Sequence, residues 1–209
     1  MTEEIFELAI RSPKGDEALF NKAKNETVQK LVSIKGIGPE REFIQNGLKP
    51  SDENVYAGMT RYENKKAYNR ALRSPGFMFK ILKFSKQMSS KAGVFLKPNE
   101  DFDYTGFCKK GQMVEFALLK PADGVSQDEF LTKRKSYLRA MDNEPEVIGS
   151  YTFQITGGFK GKDSIVHFTV YKNRDAFYKL AERIDEMAEF NDFRKVFQSN
   201  YISFADVVK

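Results

Sequence analysis

Tryptophan is absent from the 209 residues, and cysteine and histidine occur once each, as Cys108 and His167. One cysteine forms no disulfide within the chain, and one cysteine with one histidine makes no zinc cage, which points to a reducing compartment and away from a metal site. No run of about 18 apolar residues occurs, so no stretch reads as a membrane-spanning helix. Phosphate-binding loops are missing too: GGFKGK, Gly157–Lys162, lacks P-loop spacing and reads as a hairpin. The N-terminal MTEEIFELAIRSPKGDE begins acidic and resembles neither a secretory leader nor a transit peptide. The expectation is a cytoplasmic protein without a membrane, metal or cofactor.

What is present is an ordinary globular composition, 41% hydrophobic and 30% charged with both signs mixed. The net charge of +5 permits attraction to polyanions but equally serves solubility, and nucleic acid is not the expected partner. The length suits two small domains.

Two passages repeat. TRYENKKAYNRA, Thr60–Ala71, and TVYKNRDAFYKL, Thr169–Leu180, share Thr, Tyr, Asn and Ala at one constant spacing. Upstream, FELAIRSP (Phe6–Pro13) parallels VEFALLKP (Val114–Pro121), matching Glu7 with Glu115, Ala9 with Ala117 and Pro13 with Pro121. Nearly equal spacing at two separate places argues for a duplicated domain rather than a short-period repeat. Hydrophobic periodicity and turn residues give each copy the order strand, helix, strand, strand, helix, strand. The first copy reads 5–12, 16–33, 40–48, 55–62, 65–92 with a break at Pro75, and 93–97. The second reads 113–120, 126–142, 147–156, 164–171, 174–198 and 201–208. This is an α+β class with two tandem ferredoxin-like units, residues 1–98 and 113–209, joined by a polar connector at 99–112 that carries Cys108 as a spare thiol.

On strand 164–171 the alternation predicts that Val166, Phe168 and Val170 lie under the helices. His167, Thr169 and Tyr171 then face the other way, as do Gly58, Thr60 and Tyr62 in the first copy. An aromatic face of this kind favours burial, so the two sheets are expected to pack face to face as an α/β barrel.

Tandem units of this order, with EMAEFNDFRKVFQSN (Glu186–Asn200) and LRSPGF (Leu72–Phe77), resemble the dimeric α/β-barrel superfamily, and within it the antibiotic-biosynthesis-monooxygenase-like branch. The resemblance implies a cofactor-independent monooxygenase that encloses a small aromatic or apolar molecule. It also implies either a monomer with pseudo-dimeric halves or a homodimer. The branch often uses a tryptophan, absent here, and its haem-degrading relatives use a helix histidine where this chain has Ala71 or a neighbour; haem is not the expected ligand. A phenol or quinol needs chiefly proton removal in a dry cavity. His167, Tyr171 and Glu115 are the expected catalytic groups, and Tyr151, Phe153, Thr169, Tyr62 and Thr60 the substrate wall. Glu7 and Glu115 fit a structural pairing with lysine or arginine equally well. The alternative function is a non-catalytic ligand-binding or interaction protein of the same fold.

Three further motifs point elsewhere. VSIKGIGPEREFI, Val32–Ile44, resembles a helix-hairpin-helix whose Gly36-Ile37-Gly38 turn offers N–H groups to a phosphate. DFDYTG, Asp101–Gly106, copies the start of a calcium loop but has Gln112 at its twelfth position. KRK, Lys133–Lys135, reads as a solvated helix face.

Overall fold

The computed structural model describes residues 4–45, 54–99, 102–159 and 164–209. The expectations for 46–53, for Asp101 and for the hairpin tip at 160–163 concern residues outside these ranges. The chain divides into two compact units, Met1–Lys97 with Thr156–Lys160 and Lys209, and Pro98–Ile155 with Gly161–Val208. The first holds β1 (Ile5–Pro13), α1 (Glu17–Val32), β2 (Arg41–Gln45), β3 (Val55–Tyr62), α2 (Lys65–Leu72), α3 (Pro75–Ser85) and β4 (Met88–Pro98). The second holds β5 (Met113–Pro121), α4 (Gln127–Asp142), β6 (Val147–Phe159), β7 (Ile165–Tyr171), α5 (Arg174–Ala181), α6 (Ala188–Phe193) and β8 (Phe197–Val207). The tip of β6 belongs to the first unit. All strand pairs described are antiparallel: in the first unit β1 lies between β3 and β4 and β2 adds to β3, and in the second β5 lies between β7 and β8 and β6 adds to β7. The fold is α+β and ferredoxin-like in each unit, as the element order implied. Among the described residues no helix is long and apolar enough to cross a membrane.

The repeated passages have local causes. Asn64 and Asn173 are the N-caps of α2 and α5, with extended backbones, and their side chains accept from the N–H of Ala67 at 3.0 Å and Ala176 at 2.8 Å. Such a cap satisfies a helix-end donor that has no partner within the helix. The Thr-x-Tyr before each cap is the end of β3 or β7. The central strand slips register at Ile10/Arg11 in the first unit and at Leu118/Leu119 in the second, the same place in both copies.

Several expectations need correction. The helical stretch at 65–92 has its expected break, where Ser74 caps α3 and Pro75 opens it at the position where a missing N–H costs nothing, but it ends at Ser85. The helix at 174–198 is likewise broken, by a 3₁₀ turn at Ile184–Glu186. Just before that turn, Arg183 leaves helical geometry and its guanidinium reaches Glu144 and Glu146 at 2.6 Å each. The last strands therefore start earlier, at Met88 and Phe197. Val32–Ile44 forms no helix-hairpin-helix, because its second half is β2 and the Gly38 N–H is already bonded to the Arg61 carbonyl at 2.8 Å. The connector is polar in most positions but buries Tyr104, Phe107 and Cys108, and Asp103 accepts from the N–H groups of Thr105 and Gly106 to shape the turn.

The sheet faces are the reverse of the alternation reading. His167 lies against Tyr137 of α4 and Tyr171 against Phe177 of α5, while Phe168 meets Phe107 of the connector and Phe116 and Phe153 of the sheet. The polar Thr-x-Tyr face is thus the one under the helices. Both faces of β7 are buried, so alternation alone does not say which is which.

Candidate functional site

In the second unit the strand register brings Glu115, Thr169 and Ser150 abreast, and one step along it aligns Ala117, His167 and Thr152. These residues share the face covered by α4. Tyr171 Oη donates to Glu115 Oε2 at 3.1 Å. Arg134 of α4 donates to Thr152, and its Nη2 lies 3.4 Å from His167 Nδ1. A guanidinium only donates, so Nδ1 is the acceptor and the imidazole proton sits on Nε2, which donates to Thr169 Oγ1 at 2.7 Å. The imidazole is neutral: burial, then the Arg134 charge, holds its pKa well below the usual histidine range. Arg134, His167 and Thr169 thus form a chain of contacts that ends beside the Tyr171–Glu115 pair.

Glu115 is the unusual member. Burial pushes its carboxyl up to about 7, against a smaller opposite effect of the Tyr171 hydrogen bond. It nevertheless keeps partial solvent access in mid-strand, whereas Thr169, His167 and Tyr171 are almost fully enclosed. Burial raises the Tyr171 and Tyr137 hydroxyls well above the ordinary value, and the nearby Glu115 charge adds to this. A carboxyl that exchanges its proton near neutrality, next to a phenol that keeps its own, is equipped for proton transfer.

The first unit carries a counterpart with different parts. Tyr62 Oη donates to Glu7 Oε2 at 2.7 Å, and Thr60 Oγ1 to Glu40 Oε2 at 3.1 Å. Where the second unit has His167, the first has Gly58. A Cβ added there would lie 2.2 Å from Glu40 Oε1, so the Glu40 carboxylate occupies space that only a glycine leaves open. Burial raises the Glu40 pKa, opposed by Arg11. Lys24, near the middle of α1 as Arg134 is of α4, bonds Glu42 at 2.8 Å, and Lys209 reaches the same carboxylate at 3.4 Å. Burial pushes the Glu42 carboxyl up, but Lys24 and Lys209 outweigh it and the net shift is downward. Glu7, Arg11, Glu40, Thr60 and Tyr62 line a cavity of about 50 Å³ closed by Phe77 and Phe84.

Of the expected residues, Glu115, Tyr171, Thr169 and His167 come together in one layer. Thr60 and Tyr62 lie in the equivalent layer of the first unit. Tyr151 and Phe153 do not join them: their rings pack with Phe102 on the opposite sheet face. Neither glutamate pairs with lysine or arginine in the bonds described; each accepts from a tyrosine instead. Sequence reading missed Arg134, Tyr137, Lys24 and Glu40. KRK is a solvated face only in part, since Arg134 is 6% exposed and points to the sheet. One signal was present: Arg134 and Lys24 stand eight residues after the helix caps Ser126 and Asp16.

No protein-family profile matches the chain, and no curated protein matches it in sequence. Solved structures do match. A candidate monooxygenase from Fusobacterium nucleatum is similar with a TM-score of 0.68 at 12% identity, covering 100% of this chain and 94% of that one. An anthrone oxidase-like protein matches with a TM-score of 0.68 at 11% identity, covering 99% and 92%. A chlorite dismutase mutant from Candidatus Nitrospira defluvii matches with a TM-score of 0.61 at 12% identity, covering 100% and 92%. At these identities the likeness is one of fold alone.

Proposed function

We propose that this chain is a cofactor-independent monooxygenase-type oxidoreductase acting on a small electron-rich phenol or quinol, with Glu115 as proton acceptor and Tyr171 as its hydrogen-bonding partner. The observation that carries the reading is Glu115 itself, a carboxyl raised to about 7, partly accessible, and 3.1 Å from the Tyr171 hydroxyl. Removing the phenolic proton makes the ring an electron donor to dioxygen. One oxygen atom enters the ring, the other leaves as water, and phenol plus O2 gives quinone plus water with no external reductant. His167 is a positioning residue in this scheme, because both its ring nitrogens are engaged. The fold shared with the oxidase-like and monooxygenase-type neighbours supports the class of reaction, and by itself chooses no substrate.

The test is oxygen uptake with a panel of phenols and quinols. Glu115→Gln, which keeps the shape and removes the base, is expected to lower turnover by about 10²–10⁴-fold. Equal turnover by wild type and Glu115→Gln would overturn the assignment. A second reading, a non-catalytic ligand-binding protein of the same fold, draws on the close packing of His167 (2% exposed). Saturable binding of panel members without oxygen uptake would favour it.

A further inference from the structure

Beside the Glu115 layer, whose neighbours Ser150 and Thr152 also line it, the second unit has a recess of about 380 Å³ at the flank of β6. We propose that it binds a small hydroxyaryl carboxylate. The proposal rests on the recess alone and not on the oxygenase reading, since Glu115, Tyr171 and His167 do not line it.

The chemistry of the walls selects the ligand. One wall is aromatic: half-buried Phe102 and Tyr151 lie edge-on at 5.6 Å and offer ring surface to a flat guest, with the enclosed Phe153 4.9 Å from Phe102 behind them. The other wall is α4, which presents Lys135, Arg139 and Asp142 to the recess in that order along its axis. Lys135 and Arg139 are exposed and enter no ion pair among the described residues. Their neighbour Lys133 is held by Asp192 at 2.6 Å. Two unpaired cations one helical turn apart, beside ring surface, fit a carboxylate on an aromatic body. Asp142 repels an anion at its own end, so the carboxylate lies toward Lys135 and Arg139. A ring hydroxyl at the far end then donates to Asp142. Ser150 Oγ, in the same lining, is buried without a hydrogen-bond partner and offers a second polar contact. The volume lies in the range of small-molecule sites.

The probe is 6-hydroxy-2-naphthoate, whose fluorescence is read without interference because the chain has no tryptophan. Saturable one-to-one binding is expected, weakened about tenfold or more in Lys135→Ala/Arg139→Ala and unchanged in Lys133→Ala. The same loss is expected when 2-naphthol, lacking the carboxylate, replaces the probe. The substituted cations are exposed, and circular dichroism of the double variant establishes that it is folded. Absence of saturable binding, equal affinity of the double variant and wild type, or equal affinity for 2-naphthol would overturn the proposal. So would an equal loss in Glu115→Gln, which would put the probe beside Glu115. Oxygen uptake plays no part in the readout, so failure of the oxygenase reading leaves this result standing.

Discussion

At the scale of single residues, two titratable groups have exchanged the roles that the sequence suggests. A lone histidine invites the part of base, yet His167 is neutral, enclosed and bonded at both nitrogens, while Glu115 has the neutral-range carboxyl. The consequence for stability has a definite sign. The Glu115 pKa is raised from an ordinary 4.5 to about 7, so between these values the folded state holds a proton that the unfolded chain releases. Its contribution to stability is complete below the lower value and is lost as pH rises through the upper one, with a slope of at most about 1.4 kcal/mol per pH unit. Denaturation of wild type and Glu115→Gln from pH 4 to 8 should show this slope in the wild type and its loss in the variant. A second residue-scale prediction concerns Gly58. Gly58→Ala brings a methyl group against Glu40 and should cost about 1–3 kcal/mol, and Glu40→Ala in the same chain should recover much of it. Additive losses in denaturant titrations would show that the two side chains do not compete for space. Sequence comparison of the copies found Gly58 opposite His167, but not that a carboxylate from the neighbouring chain segment takes the vacant volume.

Among the elements, the most legible feature was the Thr-x-Tyr-x-Asn-x-x-Ala phrase, which resolves into a strand end followed by a helix cap. Asn64→Ala and Asn173→Ala should each cost about 1 kcal/mol, since each leaves one helix N–H without its acceptor. A negligible loss at both sites in thermal or denaturant unfolding would mean that water replaces the caps at no cost. Other element-scale features were hidden for physical reasons. Helix and strand patterns run together at Met88 and Phe197, where no proline or glycine marks the change. The orientation of β7 was lost because apolar Phe168 faces connector and sheet rings, while His167 meets Arg134 and Tyr137 of α4 and Tyr171 meets Phe177 of α5. A buried Arg134 between partly buried Lys133 and exposed Lys135 looks like a solvated run, and its contacts with Thr152 and His167 distinguish it.

For the whole molecule, the two units repeat one order of elements with unequal contents. Two βαββαβ orders and the matched positions Glu7/Glu115 and Tyr62/Tyr171 were legible as spacing; the register slip in each unit and the bond between each glutamate and its tyrosine were not. The division of labour was not, because it depends on which side chains fill equivalent space: a histidine chain in the second unit, a glutamate over a glycine in the first. The central claim is that Glu115 exchanges its proton near neutrality inside this framework. It is tested most directly by a pH titration of the glutamate side-chain carboxyl carbons by ¹³C NMR, with Glu115→Gln assigning the resonance. The account predicts a Glu115 signal titrating at about 7, and a midpoint at the ordinary glutamate value of about 4.5 would contradict it.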